Sequence, residues 1–285
     1  MSIFKKTPCN LKVTNNEKYL LYLALTCSNC AYISQDTNIF SNFSKSVQYE
    51  CPGYKVTLSN FGYTYDQEWI SCETDIYTII AFRGTDIFNI GIVSDWLQNL
   101  DIKYTNLDYF SIHSGFLQSA QGVFGSILPI ILSAYNNKRK IIITGHSKGG
   151  AVAQVFCLLL KYYYNIMVDY LLTFASPAPF RGNNIINFMS PYNNRTVHVE
   201  AKWDPVPPSF KLFNSVACPS KILLIDSYTI TIFSHGTNNY LYGLNLKYGC
   251  KNNNICMTCP SKLKILPPYA GYPSTIVPSL SGNCS

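Results

Sequence analysis

Charge is scarce in this chain: only 13% of its 285 residues are Asp, Glu, Lys or Arg. The 22 basic against 15 acidic residues leave a net charge of +7, which draws some proteins to anionic membranes or nucleic acid. Here the basic residues are scattered, and Lys138-Arg139-Lys140 is the one compact cluster. That cluster reads as a solvated turn ahead of a strand. The interleaving of basic and aromatic residues on one element that a nucleic-acid interface needs is missing, so no nucleic-acid partner is expected. A long apolar run is lacking too. Residues 1–16 are polar, and the apolar stretch 19–33 is interrupted by Thr26, Cys27, Ser28 and Asn29. Neither a secretory signal nor a transmembrane segment is therefore expected. Without a signal the 11 cysteines read as reduced thiols, an odd number that cannot all pair, and the chain is expected in the cytoplasm. No internal repeat is visible. Histidine is rare, and the four imidazoles (His113, His146, His198, His235) are all that acid–base chemistry has to draw on.

What is present is a chain 47% hydrophobic with a mean hydropathy of +0.06, long enough to bury one large core. Residues 19–32 carry apolar side chains on most positions of a helix face. Short alternating runs at 54–58 and 61–65 suit edge strands of an antiparallel ribbon. Residues 75–82 form a buried strand that ends in Arg83-Gly84-Thr85-Asp86. Helices are expected at 116–135 and 149–164, and strands at 140–144, 168–175, 196–201, 222–225 and 228–233. Strand and helix alternate through the middle of the chain, so the fold class is α/β, a mostly parallel central sheet with helices on both faces. Function is expected at the carboxyl ends of the strands. Beyond residue 246 the chain turns Cys-, Pro- and Asn-rich and reads as an irregular tail, 247–285, after a single domain, 1–246.

The chemistry concentrates at Gly145-His146-Ser147-Lys148-Gly149. A β-branched run enters these residues and a helical pattern leaves them. Gly-x-Ser-x-Gly between strand and helix puts the serine on a strained turn with its hydroxyl exposed above the sheet, and the glycines let the two elements approach. Such a serine needs a histidine base and an acid that orients it, with the acid and then the histidine later in the chain. His113 and His146 precede Ser147, and His198 falls inside a strand. His235 ends a strand, where a loop can return its ring over the serine; a surface turn histidine is the competing reading. Asp169, Asp204 and Asp226 compete for the acid. Asp204 is favoured because it follows the strand 196–201 and precedes the stiff Pro205-Val206-Pro207-Pro208. An oxyanion needs two donors, and the backbone N–H of Lys148 is one. The segment after strand 75–82, with Thr85, is the source of the second unless it is only a glycine turn that closes the strand.

In order, Phe82-Arg83-Gly84-Thr85, Asp95-Trp96-Leu97, His113-Ser114-Gly115-Phe116, Gly145-His146-Ser147-Lys148-Gly149-Gly150-Ala151, Thr173-Phe174-Ala175-Ser176-Pro177, Asp204-Pro205-Val206-Pro207 and His235 resemble the class 3 lipase family, fungal-lipase-like α/β-hydrolases. The resemblance runs from about residue 19 to about 246. It implies an α/β-hydrolase fold, a triad of Ser147, Asp204 and His235, Thr85 and Lys148 as oxyanion residues, and hydrolysis of lipid carboxylic esters at a membrane or lipid-droplet interface, without metal or cofactor. It also implies a lid, for which the apolar residues 87–93 are candidates. Lysine at 148 departs from the family, where leucine is usual, and a cation beside the pocket would favour anionic head groups. Phospholipase A1-type activity and a catalytically silent lipid-binding relative are the alternatives to a triacylglycerol lipase. Cys27-x-x-Cys30 and Cys256-x-x-Cys259 have zinc-site spacing. The first pair, however, lies in an apolar helix run, where cysteine is an ordinary small buried residue.

Overall fold

A computed structural model describes residues 15–33, 56–64, 66–85, 103–227 and 234–248. Its helices are α1 (Asn15–Cys30), α2 (Ser114–Asn136), α3 (Lys148–Tyr164), α4 (Asn183–Phe188), α5 (Val206–Ser209) and α6 (Thr237–Tyr248). The main sheet contains β1 (Thr57–Tyr63), β2 (Glu68–Glu73), β3 (Tyr77–Phe82), β6 (Lys140–His146), β7 (Tyr170–Phe174), β9 (Thr196–Ala201) and β11 (Lys221–Ile225), in the order β1-β2-β3-β6-β7-β9-β11. From β3 to β11 every pair is parallel, and β1 and β2 add an antiparallel edge. A second, antiparallel sheet is ordered β10-β8-β5-β4: β4 (Tyr104–Leu107), β5 (Phe110–His113), β8 (Phe180–Arg181) and β10 (Ser215–Val216). Nothing in the periodicity announced it, because its strands are two to four residues long.

Successive side chains of a strand point to opposite faces, and here each face meets helices. Ile80, Phe82, Ile141, Ile143 and Leu171 pack with α2 and α3. Ile79, Ala81, Ile142, Leu172 and Phe174 pack with α1 and α6. Two-sided burial explains why these strands read as continuous apolar runs rather than alternating ones. Each fully buried Ile, Leu or Phe contributes roughly 1.5–3 kcal/mol. Helix α3 is buried from Gly149 to Leu160 and stops at Asn165, whose φ of 51° lets its N–H cap Leu160 O and Lys161 O. Among the described residues only α2 has the length and apolarity of a membrane span. Its stripe Phe116, Leu117, Ala120, Val123, Ile127 and Ile131 lies in the core instead.

The expected pair of edge strands at 54–58 and 61–65 is replaced by the single strand β1, irregular between Leu58 and Asn60, and by a partner, β2, that was not anticipated. The exposed pattern of β1 and the four consecutive buried residues of β2 each break the simple alternation. Helix α6 was likewise unforeseen. The expected strand 228–233, the lid candidate 87–93, Asp95-Trp96-Leu97 and all of the expected tail 247–285 beyond Tyr248, where α6 ends, lie outside the described residues.

Candidate active site

Strand β6 delivers Gly145 and His146 to a turn too tight for side chains at its glycines. A Cβ on Gly145 would strike the backbone of Gly149, and one on Gly149 would strike the carbonyl of Phe82. Ser147 takes φ 56° and ψ −130°, a backbone conformation that costs a non-glycine residue about 1–3 kcal/mol. Its N–H is held by Phe174 O at 2.9 Å. Contrary to the exposed hydroxyl expected of such a turn, Ser147 is only 4% exposed, in contact with the fully buried His235.

The Ser147 hydroxyl is 2.7 Å from His235 Nε2, and His235 Nδ1 is 2.9 Å from Asp204 Oδ2 and 3.1 Å from Oδ1. Asp204 can only accept when ionised. The network therefore assigns the His235 proton to Nδ1, which leaves Nε2 bare toward the serine O–H. Asp204 stands in the turn after β9, past Trp203 at φ 78°. Its carboxylate accepts two more bonds, from the Tyr240 hydroxyl at 2.6 Å and the Val206 amide at 2.9 Å. Burial pushes the Asp204 carboxyl up, but the His235 charge and the hydrogen bonds from His235, Tyr240 and Val206 outweigh it, and the group stays below its ordinary range. Tyr240 also accepts the Ala201 amide at 3.1 Å. Helix α6 thus braces the acid, while Asn239 Nδ2 holds Ser234 O at 2.7 Å beside the histidine.

Sequence reasoning set His146 aside on chain order, yet it lies directly beneath the site. Its Nε2 is 2.7 Å from His235 O and its Nδ1 is 2.7 Å from the Tyr32 hydroxyl. A carbonyl only accepts, so Nε2 carries the proton and Nδ1 accepts from tyrosine. Burial, then the charge of His235, lowers the His146 pKa to about 3, and the ring is neutral. Tyr32 follows α1 and had no signal beyond its place in an apolar run. Tyr240 had none at all, since its helix was not expected. His113 packs among Tyr104, Phe116 and Phe210, and His198 bonds Thr173 and Cys218 O, so neither joins the site.

Thr85 follows β3, which runs parallel to β6 with Phe82 opposite Gly145. A Cβ on the intervening Gly84 would lie 2.6 Å from His146 O and 3.1 Å from Ser147 Cβ, so this segment presses against the serine turn. Lys148 opens α3, where the first N–H groups have no partner within the helix. Its ammonium is committed to Asp66, 2.6 Å from the carbonyl and 2.8 Å from Oδ1, so the expected cation for anionic head groups is already paired. Cys27 and Cys30 are buried thiols of α1. Among the described residues no three His, Cys, Asp or Glu cluster to hold a metal.

Residues 79–213 match the class 3 lipase family. A chloroplastic phospholipase A1 of Arabidopsis thaliana is 28% identical over 154 residues, 50% of this chain and 23% of that one. A secreted mono- and diacylglycerol lipase of Fusarium solani is 31% identical over 121 residues, 40% of this chain and 35% of that one. The chain thus matches about a quarter to a third of these relatives' length. The nonglycosylated LIP2 lipase of Yarrowia lipolytica superposes with a TM-score of 0.63 at 19% identity, over 80% of this chain and 84% of that one. The fold is that of the α/β-hydrolases.

Proposed function

We propose that this chain, which carries the class 3 lipase sequence across residues 79–213, is a serine hydrolase that cleaves carboxylic esters of lipids. The observation that carries the reading is the unbroken hydrogen-bonded line Ser147–His235–Asp204, at 2.7 and 2.9 Å. Ser147 Oγ attacks the acyl carbonyl while its proton passes to His235 Nε2. Asp204 holds the ring in the required tautomer and stabilises the imidazolium as it forms. The backbone N–H groups of Lys148 and Thr85 receive the oxyanion, a contribution of roughly 3 kcal/mol per donor to the barrier. Collapse of the tetrahedral intermediate expels the alcohol, which takes the proton back from His235. Water, deprotonated by the same ring, then releases the fatty acid and restores the serine.

Within that class we assign a triacylglycerol-type substrate met at a lipid interface, a reading supported by the fold shared with yeast lipase and by the acylglycerol lipase relative. The phospholipase A1 relative favours a second reading, phospholipid hydrolysis, although the paired Lys148 offers anionic head groups no free cation. A cytoplasmic location belongs to the same proposal and draws support from the buried, unoxidised thiols Cys27, Cys72, Cys157 and Cys218. The test is labelling by a fluorophosphonate in wild type, Ser147→Ala and His235→Ala, followed by fatty-acid release from triacylglycerol and from phospholipid. Labelling lost in both variants supports the serine chemistry, and the faster substrate decides the class. A folded wild type that stays inert even in detergent sinks the enzyme reading and leaves a silent lipid-binding protein.

A further inference from the structure

Between β1 and β2 the chain turns through Asp66 and Gln67, and these two consecutive residues touch both segments that supply the oxyanion donors. Gln67 is 2% exposed, and its Nε2 donates to Arg83 O at 2.9 Å. The next residue, Glu68, accepts the Arg83 amide at 3.0 Å and pairs its carboxylate with the Arg83 guanidinium. The segment leading to Thr85 is therefore gripped by backbone, amide and ion pair together. On the other side, the Lys148 ammonium donates to Asp66 O at 2.6 Å and to Oδ1 at 2.8 Å. The hydroxyl of Ser119 on α2 donates to the remaining Asp66 oxygen. The Asp66 side chain is half exposed, and an ion pair in that setting adds little to stability. What the pairing does supply is a fixed distance.

We propose that Asp66, Gln67 and the Lys148 side chain are positioning residues that set the separation of the two oxyanion donors, one turn clamping the Thr85 segment and the nucleophile elbow together. This rests on the serine-hydrolase reading above. Two donors from separate elements act on one developing O⁻ only while both stay within hydrogen-bond reach of it, and small misplacements weaken them steeply. Parallel pairing of β3 with β6 aligns the strands up to Phe82 and Gly145, but both donors lie beyond the last paired residues. The clamp begins where the sheet's hydrogen bonds end. It also gives the departure at position 148 a role: a leucine there leaves the elbow without this tie.

The test uses the full chain and a matched pair of soluble substrates, an ester and its thionoester, whose sulfur is the poorer hydrogen-bond acceptor. Lys148→Met keeps the backbone N–H and the helix but removes the tie. It is expected to lower kcat for the ester about 10- to 100-fold with little change in KM, and to shrink the preference for ester over thionoester. Its melting temperature stays near that of wild type, and Lys148→Arg recovers most of the rate. Gln67→Met is expected to act in the same direction; should that buried substitution fail to fold, Lys148→Met alone decides. A Lys148→Met protein with wild-type kcat and unchanged preference overturns the clamp. Ser147→Ala separates the two readings. Turnover that survives in Ser147→Ala overturns the serine chemistry and the clamp together, whereas a dead Ser147→Ala beside a wild-type-like Lys148→Met overturns the clamp alone.

Discussion

Mild acid should weaken this protein through a histidine that does no chemistry. His146 is buried beneath the serine turn with both ring nitrogens engaged, and its pKa lies at about 3 against an ordinary 6.5. The folded value is the lower one, so between the two limits the unfolded chain binds a proton that the folded chain refuses. The contribution of this ring to stability is whole above pH 6.5 and drains away as the pH falls toward about 3. Integrated from about pH 6 to about pH 4, the loss from this one ring is on the order of 2–3 kcal/mol, a sizeable share of a typical domain's stability of roughly 5–15 kcal/mol. His146→Gln keeps a donor for His235 O and an acceptor for Tyr32 but does not titrate. Urea unfolding followed by circular dichroism, run on both proteins across this range, isolates the effect of this ring, since the variant lacks only the titratable group at position 146. Wild type should lose about 2–3 kcal/mol more than the variant. Parallel pH profiles would refute the assignment of a neutral, doubly bonded imidazole at this position.

Tyr240→Phe removes a hydrogen bond to a buried carboxylate and orphans the Ala201 amide, so denaturant titration should show a loss of about 2–4 kcal/mol. The Asp204 carboxyl should rise toward its ordinary range, read by NMR titration of its carboxyl carbon. Asp204→Asn leaves the pocket filled but permits the wrong tautomer of His235, and steady-state assays should find kcat reduced on the order of 10⁴-fold. Ser147→Gly and Ser147→Ala should both be inactive, yet calorimetry should find the glycine variant more stable by about 1 kcal/mol, because only glycine relieves the strain at φ 56°. An alanine variant at least as stable would remove the claim of strain at the elbow.

Much of the architecture was legible because it follows from local periodicity. A β-branched run, a Gly-x-Ser-x-Gly turn and an unbroken apolar helix read as strand, elbow and helix, since burial on both faces leaves no polar alternation to obscure them. Ser147, Asp204 and His235 were legible for a related reason: scarcity and chain order left few candidates, and each sits at a strand end. What escaped shares the opposite property. The short strands β4, β5, β8 and β10 have too few residues for a period, β2 sets Ser71 among its apolar residues and a glutamate at each end, so it shows neither an unbroken apolar run nor an alternation, and α6 carries no strong apolar stripe.

The sequence by itself determined the tight turn at Ser147 and the parallel sheet, because each depends on residue types at fixed local spacing, and it narrowed the partners of that serine to a few candidates through scarcity and chain order. Only the tertiary structure decided that Tyr240 steadies Asp204, that Tyr32 and His146 prop the loop of His235, and that the Lys148 charge is spent on Asp66. These partners lie 36, 114, 89 and 82 positions apart in the chain. No local pattern encodes such pairings. They exist because the folded sheet brings the strand ends to one rim, and because polar groups buried there are costly unless they find one another.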